Sequence, residues 1–319
     1  MKAFVKKSAL LTMRSLGLFK AGVFLFRRGT LVILCYHGIS LRDEHEWAGG
    51  LYIPPDLFRA RLEFLKAWGA NVLPLAEGLA RLKNGTLPPR SVVITFDDGF
   101  YDFYRFAVPA LREFGFPCTL YLTTHYTRYP LPVYNLLYQY LLWKSGDPAF
   151  QTQAARDHAV LGFITKCDAE KLDTQARNEA VRALAVSYKI DYESLLAERL
   201  FQIMTPEEVS ATAAAGIDIQ LHTHRHRTPV DHDLFLREIR DNARFITDMT
   251  GVAPKHFCYP SGVTDPAFLP WLREAQVASA TTCVHGLCRP ASDPLLLPRY
   301  LDGTGTTTLD FEALLSGWR

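Results

Sequence analysis

Seven short apolar runs, most of them separated by longer stretches of helical period, limit this chain to a small set of folds. The runs are Leu31–Tyr36, Val92–Phe96, Cys118–Thr123, Ile217–Leu221, His256–Tyr259, Val277–Thr282 and Leu295–Tyr300. Each has the length and bounding residues of a buried strand. Between them apolar residues recur on one helical face. Phe58, Leu62 and Leu65 form one stripe; Leu236, Ile239, Ala243 and Ile246 form another, ended by Gly251 and Pro254. Strands that alternate with helices pair in parallel through right-handed crossovers, in an open sheet or a barrel.

One stretch breaks this rhythm. Residues 126 to about 204 read as almost all helix, an expected insertion between two core strands. It ends before Thr205-Pro206-Glu207-Glu208, where a capping box with proline at the first helical position predicts a new helix. Its aromatics Tyr129, Tyr134, Tyr138, Tyr140 and Trp143 fit either a sugar-binding cleft or the insertion's own core.

The net charge of +2 conceals an asymmetry. Residues 1–28 carry seven basic side chains and no acidic one, which leaves 28 basic against 33 acidic groups in the remainder. A basic nucleic-acid-binding surface over the domain is therefore excluded as an expectation. The segment 1–29 is a basic, apolar-rich helix candidate, too interrupted by Arg14 and Lys20 to span a bilayer, and it lacks a signal-peptide cleavage pattern. Two placements fit it: the interface of an anionic membrane, or packing on the main domain at 30–319. The six cysteines are scattered without a CxxC pair, which reads as reduced thiols in a cytoplasmic protein, peripheral to the inner membrane face if the first placement holds.

The chemistry gathers in two places. Val92–Phe96 runs into Asp97-Asp98-Gly99, so two adjacent carboxylates leave the C-terminal end of an apolar strand at a glycine turn. In α/β proteins that edge is where ligands bind. The run Ile217–Leu221 ends in His222-Thr223-His224-Arg225-His226. Imidazoles four residues apart, joined by a carboxylate, suit zinc or a neighbouring divalent ion and leave positions open for water.

These two motifs, Thr95-Phe96-Asp97-Asp98-Gly99 and His222-Thr-x-x-His226, resemble those of carbohydrate esterase family 4, the polysaccharide deacetylases. The resemblance runs from about Leu31 to the C-terminus and takes in Tyr36-His37-Gly38, Pro55–Gly69 and Ala253–Gly262. It implies a distorted (β/α) barrel of about seven strands with Asp98, His222 and His226 as metal ligands and Asp97 as general base. His224 falls outside that set. Two departures stand out. The arginine that usually follows the phenylalanine of the third motif is absent from Phe257-Cys258-Tyr259-Pro260-Ser261-Gly262, and Arg299 in Leu297-Pro298-Arg299 is the expected replacement. No Leu-x-His stands near the C-terminus, and His285 lacks that context. His37, placed after the first strand as in the biofilm poly-N-acetylglucosamine deacetylases, is the expected general acid. The backbone N–H of Ser261 is the expected oxyanion donor.

The resemblance implies a metal-dependent hydrolase that removes N-acetyl groups from a polysaccharide, oligosaccharide or glycolipid, with zinc the expected ion and cobalt, nickel or iron(II) compatible with the ligands. The alternatives are a deformylase or O-deacetylase of a lipid-linked sugar and, from another class, a non-catalytic glycan-binding protein on the same fold.

Overall fold

The computed structural model describes residues 2–318, with side chains from residue 6 onward. Seven parallel strands form the core: β1 Val32–Tyr36, β2 Ser91–Asp98, β3 Thr119–Leu122, β4 Asp218–Leu221, β5 His256–Cys258, β6 Ser279–Thr281 and β7 Tyr300–Leu301. They lie in the order β7-β1-β2-β3-β4-β5-β6, and a short strand at Asn71–Val72 pairs beside the start of β2. Leu297 bridges Thr281 of β6 in parallel, while Tyr300 pairs Leu34 of β1, so the last segment touches both edges of the sheet. This is a distorted (β/α) barrel. The expected strand Leu295–Tyr300 is thereby divided: Pro298 has no N–H for the ladder, and the strand proper begins only at Tyr300.

Alternation along β2 sorts its side chains. Val92, Ile94 and Phe96 pack under the surrounding helices with Val32, Leu34 and Tyr36 of β1. Val93 joins Leu31, Ile33, Tyr121, Cys258 and Leu297 in a separate cluster inside the barrel. The inward series Val93, Thr95, Asp97 thus climbs from apolar filling to a hydroxyl and then to a carboxylate at the strand's end.

The helices follow their stripes. Pro55–Trp68 buries Phe58, Leu62 and Leu65. His232–Thr250 buries Leu236, Ile239 and Ile246 and stops at Gly251 in a left-handed conformation. The capping box at Thr205 and Glu208 starts helix Pro206–Ala214. Residues 126–204 hold helices Tyr134–Lys144, Gln153–Ala169, Thr174–Ser187 and Tyr192–Ala197. The last three are capped by Thr152, Asp173 and Asp191, each accepting a backbone N–H. This stretch packs around Leu137, Tyr140, Leu141, Val181 and Phe201 in a local core completed by Trp47 and Tyr52 from the preceding segment, with Tyr138 and Trp143 packed on it.

At the N-terminus, helices Lys2–Ser15 and Leu18–Phe26 meet at a bend of 85°. Among the described residues no single helix is long and apolar enough to cross a membrane, although this bent pair together has the length and composition to do so. The pair packs on the C-terminal helix Thr308–Leu315 through Lys6–Asp310 and Arg14–Glu312 ion pairs, and Trp318 Nε1 donates to Leu18 O at 2.8 Å. Arg27, buried at its end, donates to Leu315 O and to Ser91 O at the start of β2.

Candidate active site

The C-terminal ends of β1, β2, β4 and β5 converge on one cavity of about 360 Å³ that exposes His37, Asp97, Asp98, His222, His226 and Ser261 on its walls. Asp98 leaves β2 with φ 72° and Gly99 follows at φ 90°. A Cβ on Gly99 would stand 2.3 Å from Leu122 Cδ1, so both the backbone angle and the space require glycine there. Thr223, His226 and Ser261 also have positive φ. Backbone held in that region is costly for a non-glycine residue and persists where surrounding structure imposes it.

Three ligand atoms meet at Asp98. His222 Nε2 and His226 Nε2 each lie 3.2 Å from Asp98 Oδ1, and all three atoms are mutually within 4.8 Å. Atoms bound at roughly 2.0–2.2 Å to a tetrahedral ion stand about 3.3–3.6 Å apart, close to this spacing. The tautomer of His222 agrees: its Nδ1 donates to Cys258 O at 2.9 Å, which leaves the Nε2 lone pair facing Asp98. Asp98 Oδ1 is buried and accepts no hydrogen bond. A lone pair opposite a carboxylate oxygen repels unless a cation lies between them, so these residues fit a divalent ion.

Asp97 is engaged differently. Arg299 spans it with two bonds, Nη1 to Oδ1 and Nη2 to Oδ2, both 2.7 Å. Arg299 also donates from Nε to Thr282 O. Burial would raise the Asp97 carboxyl; the guanidinium charge outweighs it and holds the group far below the ordinary carboxylate range. Cys258 Sγ and Cys35 Sγ lie 3.3 and 3.6 Å from Asp97 Oδ2. Cys35–His37–Asp97 and Asp97–His222–Cys258 are further groups with metal-ligand spacing. They suit an ion poorly, because Arg299 already neutralises Asp97 and burial pushes both thiols well above their usual pKa, where they stay protonated. His37 Nε2 stands 3.7 Å from Asp97 Oδ2, and burial lowers its pKa. Ser261 reaches the cavity from the turn after β5.

His224 turns away. Its Nδ1 meets Thr124 Oγ1 at 2.9 Å and its ring stacks on Phe245. His285 stands beside Tyr300 and outside the cavity lining. Of the aromatic set in 126–204, Tyr134 lines the cavity, whereas Tyr140 lies in the local core of that stretch with Tyr138 and Trp143 packed around it.

Sequence reasoning passed over Asn242 and the two thiols. Asn242 Oδ1 accepts the His222 N–H at 2.8 Å, and its amide donates to Leu122 O and Thr124 Oγ1. A legible signal existed: an amide on the buried stripe between Ile239 and Ile246 has to find partners. The thiols carried none, since Cys in a strand reads as a small hydrophobe.

The fold and site together define a (β/α) barrel with a carboxylate–dihistidine cluster beside a second, arginine-held carboxylate. The polysaccharide deacetylase family model matches residues 84–280. The chain belongs to the polysaccharide deacetylase family. The poly-beta-1,6-N-acetyl-D-glucosamine N-deacetylase of Staphylococcus epidermidis is 36% identical over 69 residues, which are 22% of this chain and 24% of that protein. The match thus spans about a quarter of that curated relative. Two solved structures share the fold. The Streptococcus pyogenes deacetylase PplD in complex with acetate has a TM-score of 0.62 at 20% identity, covering 90% of this chain and 98% of its own. IcaB from Ammonifex degensii has a TM-score of 0.59 at 19% identity, covering 90% and 97%.

Proposed function

We propose that the protein hydrolyses N-acetyl groups of a poly-N-acetylglucosamine-type polysaccharide. The observation that carries this reading is the pairing, in one cavity, of the Asp98–His222–His226 cluster with Asp97 locked by Arg299 and flanked by His37. A divalent ion held by the cluster, with zinc first among candidates, would lower the pKa of a bound water from far above neutrality to about 7. Asp97, kept ionised and oriented by Arg299, accepts the proton as water attacks the acetamide carbonyl. The Ser261 N–H faces the developing oxyanion. His37, whose Nε2 stands 3.7 Å from Asp97 Oδ2, takes up a proton and delivers it to the departing amine. The products are acetate and a free amino sugar. Acetate release from the polymer after metal reconstitution, abolished by Asp97→Asn, is the expected result. Formate release from a lipid-linked sugar, with no acetate from the polymer, would move the assignment to the deformylase reading. Release of neither acid with metal bound would favour a binding role.

The N-terminal helix pair supports a peripheral contact with an anionic membrane. Leu16, Phe24 and Leu25 are 69, 69 and 63% exposed among the cations of this segment. Apolar groups set among basic ones suit an interfacial helix. Arg27 ties this end to Ser91, the first residue of β2, whereas Asp98 is the last. At roughly 3.3 Å per residue the two levels are about 23 Å apart. A bilayer met at Phe24 and Leu25 would lie at the strand-start end, away from the cavity, which favours an extended polymer over a headgroup held in that same bilayer. Co-sedimentation with vesicles containing phosphatidylglycerol, but not with pure phosphatidylcholine, tests this; equal failure with both would remove it.

A further inference from the structure

A cavity of about 570 Å³ opens at the strand-start end of the barrel, between helix Leu18–Phe26 and the turn that leads into β2. Four cations line it, Lys20, Arg27, Arg28 and Arg90, and no described aspartate or glutamate does. Three of the four belong to the basic set of residues 1–28. Among the described residues none of them forms an ion pair with a carboxylate. Elsewhere on the surface Arg59, Arg81 and Arg182 each have such a partner.

Two of the cations have local reasons to be there. Arg27 is 2% exposed and donates to Leu315 O, Thr30 Oγ1 and Ser91 O at 2.8–2.9 Å. Those acceptors are neutral, so its charge stays uncompensated, and burial lowers its pKa to about 10. Arg90 Nη1 donates to Trp68 O at 2.6 Å, at the C-terminal end of helix Pro55–Trp68, and its guanidinium lies over the Trp68 ring. Helix Leu18–Phe26 ends here too, at Arg27. A helix C-terminus carries about half a negative charge, so the two ends offset about one of the positive charges and leave about three. Lys20 and Arg28 are exposed, and their side chains have no partner among the described residues. A concave surface with N–H donors and that surplus of charge is complementary to phosphate.

The rim decides which phosphate. Phe24 lines the same cavity and is 69% exposed, and Leu25 beside it is 63% exposed. A free anion gains nothing from such groups. A phosphate that carries acyl chains uses both, with the anion among the cations and the apolar side chains in the acyl boundary. A nucleic-acid backbone would match the cations as well, but the remainder of the chain, with 28 basic against 33 acidic groups, gives it no continuing track.

Resting on the membrane contact proposed above, we infer that this cavity seats one anionic phospholipid headgroup, its phosphate held by Lys20, Arg28 and Arg90 while Phe24 enters the acyl region. The segment then recognises a headgroup instead of meeting surface charge diffusely. The reaction cavity, at the opposite end of the strands, is thereby held facing away from the bilayer.

The test uses the full chain with vesicles of phosphatidylcholine containing phosphatidylglycerol, and compares Arg28→Gln with Lys7→Gln. Both are exposed cations of the same segment, but only Arg28 lines the cavity. Diffuse attraction predicts about a fivefold loss of vesicle affinity for either. A seated phosphate predicts about tenfold more loss for Arg28→Gln than for Lys7→Gln, the lower range for a hydrogen bond to a charged group. Phe24→Ser should weaken vesicle binding about tenfold while leaving calorimetric affinity for glycerol phosphate, at constant ionic strength, unchanged. Equal losses in Arg28→Gln and Lys7→Gln would overturn the headgroup site and leave the membrane contact standing. No vesicle binding by wild type would remove the membrane contact; Arg28-dependent binding of glycerol phosphate in that case would make this a site for a soluble phosphate and overturn the lipid assignment. Tighter, Arg28-dependent binding of a DNA oligonucleotide than of vesicles would overturn it too.

Discussion

Replacing Arg299 by methionine should convert Asp97 from a stabilising ion-pair partner into a buried, unpaired acid. Both side chains are almost fully enclosed, at 0 and 2% exposure, and two bonds of 2.7 Å join them. Removing one member of such a pair costs about 3–5 kcal/mol, because the remaining charge is left without water or partner. The effect should also reverse the pH dependence. In the wild type the folded-state pKa of Asp97 is depressed, so its contribution is complete above the unfolded carboxylate value of about 3.9 and is lost only as pH falls through the lower, folded value. Without the guanidinium, burial dominates and the folded-state pKa moves above the unfolded one. The folded variant then binds the extra proton, so its stability is fully present below about pH 3.9 and declines as pH rises toward the new folded value. Urea unfolding of the chelated protein between about pH 4 and pH 8 reads both effects as the gap between the two curves. That gap should be small in acid and widen toward neutrality. The double variant Arg299→Met with Asp97→Asn removes both charges and should recover most of the loss. A single variant that loses less than about 1 kcal/mol, with a curve parallel to the wild type, would refute the account of Asp97 as an acid held ionised by Arg299.

Three further outcomes follow from the same geometry. Asp97→Asn should retain bound metal after dialysis while losing about 10²–10⁴-fold in turnover, whereas His226→Ala should lose the metal itself; elemental analysis separates them. Asn242→Leu withdraws the acceptor for the His222 backbone N–H, which sets where the ring stands, and should weaken metal affinity measurably in a competition titration with a chelating dye, with the fold retained by circular dichroism. Thr205→Ala removes the capping box of helix Pro206–Ala214 and should cost about 1 kcal/mol in urea without changing metal binding.

Much of the fold was legible because its causes are local. Strand-length apolar runs, helical stripes ending at Gly251 and the box at Thr205 each act within a few residues, and all but the divided run Leu295–Tyr300 reappear in the barrel. The acidic pair before Gly99 and the paired imidazoles were legible for the same reason: a strand's last residues deliver side chains to its C-terminal edge. The missing third-motif arginine was known only through the resemblance to the polysaccharide deacetylases, which left Asp97 without its usual cation and directed attention to Arg299. Other features had no local signal. Pro298 marks a local break in the last run, but nothing near it in the chain reports that Leu297 reaches β6 while Tyr300 reaches β1, a condition imposed by the two edges of the sheet. Cys35 and Cys258 flank Asp97 from different strands, and no spacing within either strand reports the register that brings them there. The aromatics of 126–204 were chemically alike in sequence, yet Tyr134 faces the cavity and Tyr140 the local core. Sequence alone therefore determined the elements and the reactive groups, which depend on neighbours along the chain. Tertiary structure decided which of those groups meet, because that depends on strand order and register across hundreds of residues.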